Sequence, residues 1–228
     1  SIVIPVLNEI DSLPQLTKEL SNNLKGYDSW EVIFIDDGST DGSTTWLSQY
    51  CASNENFILI QFFRNYGKSA ALSEGFKISN GDFIITMDAD LQDDPSEIKN
   101  LIAKLDEGWD VVSGWKKTRL DPLSKRVPSK VFNFITRLFT GVKIHDFNCG
   151  LKAYRQSVVK AIDIYGGLHR YIPALAGQKK FRVNEIVVNH RARIHGQSKY
   201  GGSRFLHGFF DLITLSLIHI SEPTRQHW

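Results

Sequence analysis

Cysteine is nearly absent, with Cys51 and Cys149 the only two in 228 residues. Neither has a second Cys or a patterned His nearby, so no zinc site and no disulfide framework is indicated. Two reduced, partly buried thiols suit a cytoplasmic compartment. A strong charge of one sign is also missing. Twenty-seven basic residues against twenty-five acidic ones leave a net charge of +2, too little to argue for nucleic acid as a partner. Any electrostatic function must come from local clustering. Long apolar runs are missing as well: no stretch reaches the ~20 residues that a membrane-spanning helix needs. There is no internal repeat, no low-complexity segment, and no basic-then-apolar signal region before the first strand. The chain opens inside that strand with SIVIPV, so a truncated N-terminus is expected.

What is present is an ordinary globular composition, 42% hydrophobic and 23% charged, enough for one sizeable α/β domain. Short apolar runs at 2–6, 31–35, 57–62, 82–87 and 111–114 read as strands. Leu13, Leu16, Leu20 and Leu24 recur at helical spacing, as do Ile98, Leu101, Ile102 and Leu105 behind the start signal Asp94-Pro95. This alternation predicts a Rossmann-like, mostly parallel sheet with flanking helices. Residues 150–155 and 181–188 are candidates for further strands. Val131, Phe132, Phe134, Ile135, Leu138 and Phe139 suggest an amphipathic helix after a basic loop.

In doubly wound sheets ligands bind beyond the carboxyl ends of the strands, and three polar clusters fall at those ends. They are Asn8-Glu9, the run Asp36 to Asp41, and Asp88 to Asp94. Four carboxylates within TMDADLQDDP repel one another unless a cation, a donor or open water relieves them. Asp88 and Asp90 stand two residues apart, so an extended chain would aim both at one face. There they could hold Mg²⁺ or Mn²⁺ with phosphates completing the shell. An ordinary acidic turn is the competing reading, and for Asp94 a helix cap is favoured. Gly67-Lys68-Ser69 is not a phosphate loop, because that pattern requires glycine where Phe62 stands. The histidines have no metal-ligand spacing. Two basic segments, 116–130 and 190–202, would suit an anion held beside a metal, with phosphate the natural candidate.

Together SIVIPVLNE (1–9), IDDGSTD (35–41), RNYGKSAAL (64–72), DADLQDDP (88–95), DFNCGLKAYR (146–155) and GQSKY (196–200) resemble family 2 glycosyltransferases. The resemblance is to the dolichyl-phosphate mannosyltransferase and polyprenyl-phosphate branch. It implies the GT-A fold over residues 1–202 and a metal-dependent, inverting transfer of sugar from a nucleotide sugar to a polyprenyl phosphate. It implies that Pro5, Asn8, Glu9 and Asp37 hold the nucleoside and that Asp88, Asp90 and Gln92 surround the metal and diphosphate. Lys116, Lys125, Arg126 and Ser129 would receive the lipid phosphate, and Arg193, Ser198 and Lys199 would close on the donor. Asp146 is a candidate base or positioning group, or else a carboxylate that satisfies turn amides. Two alternatives remain: a family 2 transferase acting on a saccharide hydroxyl, and a non-catalytic nucleotide-sugar-binding module.

Phe205, Leu206, Phe209, Phe210, Leu212 and Ile213 suggest the start of a juxtamembrane helix over 203–214. In the resembling family this leads to membrane spans and a site on the cytoplasmic face. The following LSLIHISEPTR resembles a translated sequencing-library adapter. Residues 215–228 are therefore expected to be non-native.

Overall fold

The computed structural model describes residues 1–117 and 133–192. Its seven strands are β1 (Ile2–Val6), β2 (Val32–Asp36), β3 (Phe57–Gln61), β4 (Phe83–Thr86), β5 (Val111–Trp115), β6 (Lys152–Arg155) and β7 (Val183–Val187). They form one sheet in the order β3-β2-β1-β4-β6-β5-β7. β1, β2, β3 and β4 pair in parallel, as do β5 and β7, while β6 runs antiparallel between β4 and β5. The sequence reading of a mostly parallel sheet therefore holds. Its last two candidate strands join it, one as the reversed member.

The helices are α1 (Leu13–Leu24), α2 (Ser43–Ala52), α3 (Lys68–Ile78), α4 (Ile98–Asp106), α6 (Gln156–Ala161) and α7 (Ile172–Gln178), with α5 over residues 133–140. Strand side chains alternate between faces, and here both faces are covered, which is why β1 and β2 read as continuous apolar runs. Ile2, Ile4, Val6 and Phe34 pack on one side with Leu13, Leu16 and Leu20 of α1, Leu47 of α2 and Leu101 of α4. Val3, Ile33 and Ile35 pack on the other with Leu72 and Phe76 of α3, Val158 of α6 and Ile172 of α7. Among the described residues no helix is long and apolar enough to cross a membrane. The expectations for 203–214 and 215–228 lie outside the described residues.

Candidate functional site

Strand order reverses between β1 and β4, since β2 and β3 lie on one side of β1 and β4 on the other. The carboxyl ends of β1 and β4 thus open a crevice. Ser1 and Val3 accept from the amides of Ile85 and Met87, so the odd residues of β1 address β4. Pro5 belongs to that set. Its missing N–H faces the position where β4 has already stopped at Thr86, which is how proline is tolerated inside an interior strand.

The loops after β1 and β2 are fastened together. Asn8 takes a positive φ of 51°, a conformation open mainly to glycine and asparagine. Its amide donates to Ser39 Oγ at 2.9 Å and its Oδ1 accepts from the Thr40 amide at 2.7 Å. The Glu9 amide donates to Ser43 Oγ at 3.0 Å. Asp37 Oδ1 accepts from the Tyr66 amide at 2.6 Å, and Oδ2 accepts from the Gly67 amide at 3.0 Å. Burial pushes the Asp37 carboxyl up and Asp36 adds to this, while the two amides oppose. Asp37, 4% exposed, therefore fixes the loop before α3. Gly38 allows this approach: at φ 78°, a Cβ there would lie 2.6 Å from the Arg64 carbonyl carbon.

Beyond β4 the sequence expectation needs correction. The strand ends at Thr86, residues 89–91 bend, and Leu91 has φ 63°. Strand alternation therefore does not aim Asp88 and Asp90. Each carboxylate instead has its own relief. Asp88 pairs with Lys68 at the start of α3. Asp93 Oδ1 lies 2.8 Å from Lys116 Nζ, with the two side chains 0% and 11% exposed, and Asp93 Oδ2 accepts from the Asp88 amide at 3.1 Å. Asp94 accepts from the Ser96 amide at 3.0 Å, capping the 3-10 turn Pro95–Glu97 as expected. It also meets Arg191 Nη2 at 2.8 Å. Asp90 Oδ1 accepts from the Gln92 amide at 3.1 Å.

The field at Asp88 follows from this arrangement. Its side chain is 35% exposed, and burial alone would raise its carboxyl. Lys68, Lys116 and Lys152 overcome that and hold it well below the usual carboxylate range. Lys152, buried on β6, donates to the Cys149 carbonyl. Burial pushes its ammonium down, against the pull of Cys149, Asp146 and Asp88. Burial would also lower Lys116, but Asp93 foremost keeps it above the ordinary lysine range. Gly150 lets the carboxylate seat: a Cβ there would come 2.5 Å from Asp88 Oδ2.

Of the expected site residues, Pro5, Asn8, Glu9, Asp37, Asp88, Asp90 and Gln92 stand at the carboxyl ends of β1, β2 and β4. Gln92 is held through its backbone, its carbonyl accepting from the Arg191 amide at 3.0 Å. Lys116 follows β5, and any phosphate it receives must share it with Asp93. Asp146 is 2% exposed, and its Oδ1 accepts from the Asn148 amide at 3.1 Å, the turn-satisfying arrangement. Lys125, Arg126, Ser129, Arg193, Ser198 and Lys199 lie outside the described residues. Sequence reasoning assigned no individual role to Lys68, Lys152 or Gly150, and took Arg191 only as part of the basic segment 190–202. Lys68 stood in the rejected Gly-Lys-Ser, and its reach to Asp88 needed α3 to be recognised as a helix. Among the described residues no three His, Cys, Asp or Glu gather into a metal-ligating cluster.

Residues 1–163 match the family model described as Glycosyl transferase family 2. The chain is 38% identical to a dodecaprenyl-phosphate galacturonate synthase of Rhizobium johnstonii, covering 94% of this chain and 65% of that protein. It is 42% identical to an undecaprenyl-phosphate 4-deoxy-4-formamido-L-arabinose transferase of Shewanella sediminis, with the same two coverages. It thus spans about 65% of the length of these relatives. Among solved structures it is similar to glucosyl-3-phosphoglycerate synthase from Mycobacterium tuberculosis in complex with Mn²⁺ and UDP-glucose. The TM-score is 0.70 at 17% identity, covering 96% of this chain and 77% of that one. That likeness carries the GT-A fold alone. With the family model covering residues 1–163 and the crevice at the β1/β4 reversal, this chain belongs to glycosyl transferase family 2.

Proposed function

We propose that this chain is the catalytic domain of a transferase that moves a sugar from a nucleotide sugar to a polyprenyl phosphate such as undecaprenyl or dolichyl phosphate. The observation that carries this reading is Asp88, paired with Lys68 beyond the carboxyl end of β4 and held below the usual carboxylate range by Lys68, Lys116 and Lys152. It occurs in a chain similar over 94% of its length to relatives named for polyprenyl-phosphate acceptors. The complete protein would work at the cytoplasmic face of a membrane.

A divalent ion fits the donor set. Asp88 and Asp90 offer hard oxygen ligands, and Gly150 leaves the Asp88 carboxylate room, so that an ion would share Asp88 with Lys68. Asp88 and Asp90, with Gln92 beside them, would hold Mg²⁺ or Mn²⁺. When bound, the ion supplies Lewis-acid neutralisation of the diphosphate. The chain's own residues do the rest. Lys68, paired with Asp88, would supply a cation to the anionic leaving group, and the loops carrying Pro5, Asn8, Glu9 and Asp37 would position the nucleoside. Lys116, Lys125, Arg126 and Ser129 would hold the acceptor phosphate; Arg193, Ser198 and Lys199 would close on the donor.

In the transfer an acceptor phosphate oxygen bonds to the anomeric carbon as its bond to the diphosphate oxygen breaks, and the departing nucleoside diphosphate keeps the electron pair. A single displacement inverts the centre, giving a β-linked product from an α-linked donor. The acceptor, with a second pKa of about 6, is largely dianionic at neutral pH. A strong base is therefore unnecessary, which accords with Asp146 being engaged with a turn amide.

The test is incubation with Mg²⁺ or Mn²⁺, a panel of nucleotide sugars, and undecaprenyl or dolichyl phosphate, with lipid products identified by mass. A glycosyl phospholipid is expected. Transfer only to a saccharide hydroxyl, or donor binding with no product at all, would overturn the reading. Asp90→Asn should lose most metal-dependent turnover while keeping its thermal midpoint, because it withdraws a ligand yet relieves repulsion. Near-native turnover at limiting metal would remove Asp90 from the site.

A further inference from the structure

Asp94 is held by more than a cap requires. Its Oδ1 accepts from the Ser96 amide at 3.0 Å and from Ser96 Oγ at 2.8 Å and meets Arg191 Nη2 at 2.8 Å, while Oδ2 accepts from Asn189 Nδ2 at 3.2 Å. Capping the 3-10 turn needs only the first of these. Two of the others come from the segment after β7, which lies antiparallel along the loop after β4. Asp93 and His190 form a β-bridge there, and the Arg191 amide donates to the Gln92 carbonyl at 3.0 Å. That pairing is made by backbone atoms and does not use the Arg191 guanidinium.

The guanidinium reaches a third element. Its Nη1 donates to Glu19 Oε2 of α1 at 2.6 Å, and Glu19 Oε1 accepts from Gln15 Nε2 at 2.8 Å. The side chains of Arg191, Glu19 and Asp94 are 31%, 22% and 11% exposed, enough contact with water for such pairs to add little to stability. What they fix is geometry. A planar fork with one nitrogen on each carboxylate sets the separation of the two in a way that a single ammonium cannot. Each carboxylate is joined to one side of the crevice. α1 begins directly at the loop after β1, where the Glu9 carbonyl accepts from the Ser12 and Leu13 amides at 3.0 and 3.1 Å. Asp94 closes the loop of Asp88, Asp90 and Gln92, which turns through Leu91 at φ 63°. These loops follow β1 and β4, the two strands between which the crevice opens.

We propose that Arg191 is a positioning residue of the crevice: by joining Glu19 to Asp94 it sets the distance between the loop after β1 and the loop after β4, so that one ligand can engage both. That ligand is the metal-bound nucleoside diphosphate part of the donor, so the proposal rests on the nucleotide-sugar reading above. The effect of Arg191 falls on ligands that span the two loops and spares those that meet only one.

The experiment titrates the 228-residue chain with Mn²⁺ alone, followed by loss of the free-ion paramagnetic resonance signal, and with UDP, GDP, CDP and dTDP in the presence of Mn²⁺, followed by calorimetry. Arg191→Met should weaken whichever nucleoside diphosphate the parent binds by at least about tenfold. Its affinity for Mn²⁺ alone and its thermal midpoint should stay near those of the parent. Arg191→Lys should remain weak for the nucleotide, since one ammonium cannot hold both carboxylates. Glu19→Ala, a change on a helix surface, should weaken the nucleotide as well, and is the second route to that loss should Arg191→Met lower the midpoint. Adding it to Arg191→Met should cost nothing further, because the two changes remove one contact. Arg182→Met removes an ion pair with Asp110 at the opposite end of β7 and should leave every affinity unchanged. The proposal is overturned by an Arg191→Met chain that binds nucleotide like the parent, or by full affinity in Arg191→Lys. It is equally overturned by additive losses from Glu19→Ala and Arg191→Met, or by an equal loss for Mn²⁺ alone, which would mean that Arg191 only shapes the loop after β4. A parent that binds none of the nucleotides would sink the nucleotide-sugar reading and this proposal with it. A parent that binds one while Arg191→Met binds it equally well would sink this proposal alone.

Discussion

Lys116 and Asp93 form an ion pair with almost no contact with water, 11% and 0% exposed at 2.8 Å. Removing one partner from such a pair strands the other charge in a poorly solvated site, a loss of about 3–5 kcal/mol. Lys116→Met should therefore lower stability by about 3 kcal/mol in chemical denaturation. Adding Asp93→Asn to it should cost less than the sum of the two single changes, and strict additivity would show that the pair is not coupled. Gly150 is a second residue whose substitution has a defined victim. Gly150→Ala places a methyl 2.5–2.9 Å from the Asp88 carboxylate, so it should weaken Mn²⁺ binding and turnover at least about tenfold by displacing a ligand. Mn²⁺ titration beside a thermal melt would separate that from simple unfolding.

Among the elements, α3 is faint in the sequence yet carries Lys68 to Asp88. Its inward face is Ser69, Ala71, Leu72, Gly75 and Phe76, so small residues do half of the packing and the apolar stripe is faint. The close approach explains the glycine. A Cβ at Gly75 would come 2.3 Å from Val3 Cγ1 and 2.9 Å from Ile35 Cδ1. Alanine normally improves a helix interior by about 1 kcal/mol over glycine, but overpacking costs about 1–3 kcal/mol. Gly75→Ala should thus be destabilising overall, shifting the denaturation midpoint downward. An upward shift would mean the helix can back away from β1. α1 and α4 are the converse case. Their leucines and isoleucines mark a full stripe, and the helices lie where that spacing put them.

For the whole molecule, three of the described groups whose ionisation burial or a buried partner delays, together with Tyr154 and Tyr27, weaken stability at alkaline pH. Burial pushes the Cys149 thiol up to about 12 and the Cys51 thiol up to about 11; an unfolded thiol ionises near 8.5. Asp93 holds Lys116 above its ordinary range. All three folded pKa values are raised, so their contribution is complete below the unfolded values and lost as pH rises through the folded ones. Unfolding free energy should fall steadily from about pH 9 toward pH 12. At pH 8 Cys149 should resist a thiol reagent in the native protein, with both cysteines reacting once the chain is unfolded in guanidinium. Rapid native labelling of Cys149 would contradict its burial.

The sequence by itself determined what depends on local pattern: the strands of the first half, α1, α4, the Asp94 cap, and the clustering of polar residues at strand ends. These follow from side-chain period and turn chemistry, which act over a few residues. Only the tertiary structure decided the partners of those polar residues. The sequence could say that four carboxylates in TMDADLQDDP need positive company. It could not say that Asp88 would meet Lys68 from α3, Asp93 would meet Lys116 after β5, and Asp94 would meet Arg191 after β7. Those partners come from segments up to about a hundred residues away. They converge because the chain reverses its strand order beside β1 and inserts β6 between β4 and β5. The seating of α5 was hidden for the same reason: its period announces an amphipathic helix, but Ile135 packs on the core while Phe134, Leu138 and Phe139 are exposed, and the loop 144–150 gives Asn133 an amide and Arg137 a carbonyl.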